Sequence, residues 1–165
     1  ITRSSLYVFG GNEGLVGNKV RKPPVFFDKP YDSPTPDFLK EFKDRSISTI
    51  CELAANRKLY LVRPIPEMKV SVPQVMARHK MMGIQDRVSV SMDEYRHRHQ
   101  FILELQDEAK LRCGVEILDP VPYLCDNDNC YGDLNGRPLY SDDDHLSEFG
   151  NKVLVPMFAK IFTKR

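Results

Sequence analysis

Three short apolar runs of β-favouring residues, Leu6-Tyr7-Val8-Phe9, Leu59-Tyr60-Leu61-Val62 and Val115-Glu116-Ile117-Leu118, are separated by stretches long enough for helices. Strands that alternate with helices point to a parallel sheet covered by helices, because parallel neighbours need crossover connections. The first run ends in Gly10-Gly11-Asn12-Glu13-Gly14 and reads as a buried strand entering a turn. The second carries no charge within it and has the pattern of a strand covered on both faces. Between residues 15 and 36, five prolines exclude a long helix or a central strand. Thr35-Pro36-Asp37 opens a helix, with Thr35 as N-cap and Pro36 at the first helical position, and its apolar spacing lasts to about Asn56. A short helix runs from Val72 to Gly83. Ser91 and Glu94 form a capping box for a long helix ending at Cys113-Gly114, and residues 146–162 read as a last helix loosened by Gly150 and Pro156. In such sheets the chemistry sits in loops beyond the carboxyl ends of the strands.

The chain has 165 residues, 41% hydrophobic and 28% charged, with a net charge of +1. A chain of this size is one ordinary domain and buries enough surface to fold without metals or dense disulfides. The near-zero charge argues against nucleic acid as a partner, and no apolar run approaches the roughly 20 residues of a membrane span. The chain opens Ile1-Thr2-Arg3 with no Met and no signal peptide, which reads as a processed chain or a fragment of a longer one.

The sharpest local signal is Tyr140-Ser141-Asp142-Asp143-Asp144-His145-Leu146-Ser147, just before the last helix. An Asp three residues before a His can accept the imidazole Nδ1–H, leaving Nε2 as a general base toward a hydroxyl; Asp142 and His145 are the candidates. Two other readings stand beside it. The acids are a solvated turn with Asp144 or Ser147 capping the helix, or they belong to a metal site, for which a second ligand cluster is lacking. His97 and His99, two apart on one helix, point to different faces and read as surface residues among Arg96 and Arg98; His79 reads as exposed. Cys125 and Cys130, five apart around a polar turn, can close a small disulfide loop but match no CxxC motif. Cys51 and Cys113 could form a second bridge if their helices pack together. Four cysteines with one short pair favour an oxidising compartment, with buried thiols as the alternative.

The Asp142-x-x-His145-Leu146-Ser147 block resembles the final catalytic block of SGNH (GDSL-like) hydrolases and transferases. Together with Leu61-Val62-Arg63-Pro64-Ile65-Pro66-Glu67-Met68 and the Cys125 to Cys130 loop followed by Tyr131-Gly132, it is similar to the periplasmic SGNH domain fused behind the membrane domain of acyltransferase-3 proteins. Those bacterial proteins O-acetylate surface polysaccharides such as lipopolysaccharide O-antigen. The resemblance covers most of the chain and implies a three-layer α/β/α sandwich with a parallel sheet. It also implies a location in the periplasm tethered to the inner membrane, a polysaccharide acceptor, an acyl donor supplied through the membrane domain, and no cofactor. By resemblance His145 is the base of a Ser-His-Asp triad and Asp142 its orienting partner. The family's serine lies in a Gly-Asp-Ser block on the first strand, and these 165 residues contain none. Ser4 and Ser5 precede the run at Leu6 and lack the setting of a nucleophile elbow. Residues 1–165 therefore read as a single SGNH-like domain without its first block, inactive alone. Asn12 is a candidate oxyanion donor in Gly10-Gly11-Asn12-Glu13, a block that reads equally as a turn. Arg3 and Arg63, each bordering a strand, are candidate supports for an anionic group. The rival functions are an SGNH esterase and a non-catalytic glycan-binding module.

Overall fold

The computed structural model describes residues 4–11 and 22–163. Its elements in order are α1 (Ser4–Phe9), α2 (Pro36–Ala54), β1 (Tyr60–Val62), α3 (Val72–Met82), β2 (Ser89–Ser91), α4 (Met92–Cys113), β3 (Glu116–Leu118), α5 (Val121–Leu124), β4 (Asn129–Tyr131), β5 (Asp133–Leu134), β6 (Arg137–Pro138), α6 (Glu148–Val153) and α7 (Val155–Thr163). Contacts divide the chain into two compact units, whose described residues are 4–11, 22–64 and 99–118 in the first and 65–98 and 119–163 in the second.

The first unit holds the parallel pair β1–β3, in register Leu61 to Ile117. This is the α/β element that the alternation of runs predicts. α2 starts where its cap requires: Thr35 Oγ1 accepts from the Phe38 N–H at 3.3 Å, with Pro36 in the first turn. Phe38, Val8 and Ile102 are buried together, with Phe42 and Phe101 packed against them. Cys51 on α2 and Cys113 at the end of α4 form a disulfide across a separation of 62 residues.

One expectation fails here. The run Leu6-Tyr7-Val8-Phe9 is helix, not strand. A run of four residues is too short for periodicity to separate strand from helix, and the decision falls to packing. In the helix, Val8 enters the aromatic cluster and Ser5 is turned onto His99, both fully buried. That contact corrects a second expectation, because His99 is a core residue rather than a surface one, while His97 is exposed.

The second unit contains two small antiparallel pairs, β2–β4 and β5–β6, which no apolar run announces. Ser91 and Glu94 make the capping box that the sequence predicts: the Glu94 N–H donates to Ser91 Oγ at 3.2 Å and the Ser91 N–H to Glu94 Oε2 at 3.0 Å. α3 ends at Gly83, whose φ of 69° is the left-handed conformation that favours glycine. The expected last helix is divided at Leu154 into α6 and α7, with Pro156 in the first turn of α7 where its missing N–H does no harm. Cys125 and Cys130 form the second disulfide. Among the described residues no helix is long and apolar enough to cross a membrane.

Candidate functional site

The second unit presents residues 139–147 as a tight loop. The Ser147 N–H donates to the Leu139 carbonyl and the Ser141 N–H to the His145 carbonyl, both at 2.8 Å. Ser147 then caps α6, its Oγ accepting from the Gly150 N–H at 3.0 Å and donating to the Pro138 carbonyl at 3.0 Å. The helix-start residues and the acids thus do separate work. Ser147 serves the helix, and Asp142 serves the histidine.

Asp142 Oδ1 accepts from the backbone N–H groups of His145 at 2.7 Å and Asp144 at 3.0 Å, an Asx turn that folds the loop around its carboxylate. Its Oδ2 lies 2.6 Å from His145 Nδ1. Burial raises the Asp142 carboxyl, but the His145 and Asp144 amides and the His145 ring outweigh it and hold the group below its ordinary value. A carboxylate kept ionised in this way fixes the imidazole with Nδ1 toward Asp142. The His145 side chain is half exposed.

Asp144, which the sequence offers as a helix cap, lies instead against the histidine. Its buried carboxylate lies 3.0 Å from His145 Nδ1, so two carboxylates flank that ring nitrogen. The ligand atoms of Asp142, Asp144 and His145 lie within 4.8 Å of one another, the one such group among the described residues that could hold a metal ion.

The loop is strapped to residues 66–72. The Met68 N–H donates to the Asp143 carbonyl at 2.8 Å, the Val72 N–H to the Asp142 carbonyl at 2.9 Å, and the buried Tyr140 hydroxyl to the Pro66 carbonyl at 2.8 Å. Burial pushes the Tyr140 phenol upward, which keeps it a neutral donor. Glu67, within the strap, is buried and pairs with Arg98, whose Nη2 lies 2.6 Å from its Oε2. An acid inside the otherwise apolar stretch Pro64-Ile65-Pro66-Glu67-Met68 was the available clue to this pair.

The remaining candidates fare differently. Asn12 and Arg3 lie outside the described residues. Arg63 is committed within the first unit, donating to the Leu103 carbonyl at 2.9 Å and to Asp107 at 2.6 Å, so it braces α4 instead of awaiting an anion. Ser5 is fully buried against His99 Nδ1 at 2.6 Å, away from any solvent-borne substrate. His79 is half-buried, with its Nδ1 2.9 Å from the Asp86 carbonyl.

A structure titled as the lipopolysaccharide acetyltransferase periplasmic domain of Salmonella ser. Paratyphi A is similar in fold. It matches with a TM-score of 0.55 at 15% identity, over 77% of this chain and 49% of that one. This chain therefore spans about half the length of that structure. No curated protein matches the sequence. The model of the SGNH domain found fused to AT3 domains matches residues 1–160, and the chain belongs to that family.

Proposed function

We propose that this chain is part of a periplasmic O-acyltransferase domain that moves an acyl group, most simply acetyl, onto a cell-surface polysaccharide such as lipopolysaccharide O-antigen. The observation that carries the reading is the Asp142 carboxylate holding His145 Nδ1 at 2.6 Å while accepting two backbone N–H groups of the same loop. Family membership and the likeness to a lipopolysaccharide acetyltransferase periplasmic domain support the reaction class. The two disulfides support an oxidising compartment.

The nucleophile is a serine from a part of the parent polypeptide outside these 165 residues, and the acyl donor is presented by the acyltransferase-3 membrane domain. The serine Oγ attacks the donor carbonyl as its proton passes to His145 Nε2, and Asp142 stabilises the imidazolium. Collapse of the tetrahedral adduct expels the donor's leaving group, which takes the proton from His145. A sugar hydroxyl then attacks the acyl-serine, giving its proton to His145, and departure of the serine with that proton restores the enzyme. No cofactor is needed for these steps.

The test is acyl content of the polysaccharide, measured by mass spectrometry in cells carrying the full protein with His145→Ala. Loss of acylation by at least about a thousandfold with normal protein levels is expected. Retained transfer removes His145 from the mechanism. Release of free acid without transfer identifies an esterase, and intact polysaccharide binding without either reaction identifies a binding module.

A further inference from the structure

In the second unit, α3 ends in apolar side chains left in solvent. Met81 is 88% exposed, Met82 66% and Ile84 38%, a run of large apolar residues broken only by Gly83, with Ala77 exposed one turn before Met81. Backbone bonding holds this tip outward. The Ile84 N–H donates to the His79 carbonyl at 2.9 Å around Gly83, and His79 Nδ1 lies 2.9 Å from the Asp86 carbonyl, which closes the turn that follows. Scattered exposed apolar residues are ordinary, but a cluster of them on one projecting turn marks a contact surface.

The surrounding charges indicate what it contacts. Arg78 and Lys80 are exposed on the last turns of α3, and Arg137 is exposed on β6, which packs against α3. None of the three forms an ion pair among the described residues. Arg87 is held by Asp133, and Asp86 is the one acid between residues 70 and 92. An apolar tip ringed by cations suits the boundary of an anionic bilayer, where the apolar side chains enter the acyl chains and Arg and Lys reach the phosphates. Methionine suits such a place because its flexible side chain needs no shaped pocket. We propose that the tip of α3, Met81 to Ile84, inserts into the headgroup region of an anionic phospholipid bilayer. The first turn of α3 is bonded to the loop of Asp142 and His145, through the Val72 N–H and the Asp142 carbonyl at 2.9 Å. Val72 to Met82 covers about 15 Å along the helix axis, so the inserted tip sets how far that loop stands from the lipid surface. The inference rests on the reading above for the presence of a bilayer, supplied by the membrane domain of the parent polypeptide.

The full parent protein in phospholipid vesicles tests it. A polarity-sensitive fluorophore on Met81→Cys is expected to be quenched by lipids brominated on their acyl chains, whereas the same fluorophore on Gln74→Cys, exposed in the first turn of α3, is not. In phosphatidylglycerol vesicles, replacing both Arg78 and Lys80 by Gln is expected to lower the ratio of inserted to water-exposed probe about thirtyfold, about fivefold for each cation. A Met81 probe quenched by aqueous iodide and not by brominated lipid overturns the proposal. So does a probe shielded from both, because the tip then rests on protein, and so does equal lipid quenching in phosphatidylcholine, which has no net charge. The comparison of the two lipids with both cations intact decides the matter if the double variant does not fold. Quenching is read without the acyl-transfer assay: lipid quenching at Met81 in a protein whose His145→Ala variant stays active would retain the tip and reject the triad.

Discussion

At the scale of single residues, the Asp142–His145 contact is set by spacing within one loop, and its chemistry follows from which groups hold the carboxylate. Asp142→Asn keeps the shape but substitutes an amide that can donate to Nδ1 and favour the wrong tautomer, so acyl transfer by the full protein should fall by about a thousandfold or more with little change in melting temperature. The linkage has a definite sign. Because the folded-state carboxyl lies below its ordinary value of 3.8, its contribution is complete above that value and disappears as pH falls through the lower folded-state one. The melting temperature below about pH 4 should therefore depend less on pH in Asp142→Asn than in the parent, by a small amount because the side chain is 42% exposed and partly screened by solvent. Glu67 behaves differently. Its carboxylate is buried against Arg98, so Arg98→Met strands a charge and is expected to cost about 3–5 kcal/mol in urea unfolding.

At the scale of elements, helix starts were the most legible feature, because capping is a contract among residues three or four apart. Thr35 and the Ser91–Glu94 pair are found in the roles that their spacing predicts. Ser147→Ala should cost about 1 kcal/mol, since it removes the acceptor of the Gly150 N–H and a bond to Pro138. Gly150 was legible only as a helix weakener, and the structure gives it another meaning. A Cβ there would lie 2.0 Å from the Leu139 carbonyl oxygen, so the glycine lets α6 approach the strand-like entry to the loop. Gly150→Ala is thus expected to destabilise, although alanine gains about 1 kcal/mol in helix propensity, and thermal unfolding checks the sign. The run at α1 is illegible for the opposite reason: four apolar residues satisfy a strand or a helix equally, and only their neighbours decide.

At the scale of the whole molecule, the two disulfides close loops of very different size. The chain-entropy estimate gives about 4 kcal/mol for Cys51–Cys113, across 62 residues, and about 2 kcal/mol for Cys125–Cys130, across 5. Replacing the first pair by serine should therefore lower the urea midpoint roughly twice as far as replacing the second. The sequence by itself determined whatever depends on near neighbours: the Asp142–His145 spacing, the helix caps, the short Cys125–Cys130 loop and the alternation that marks an α/β chain. Tertiary structure alone decided the helical state of α1, the burial of His99 against Ser5, the strap from Pro66 to Val72 and the pairing of Cys51 with Cys113. Each of these joins residues far apart in the chain, through contacts whose partners no local pattern names, and so their energies appear only once the chain has folded back on itself.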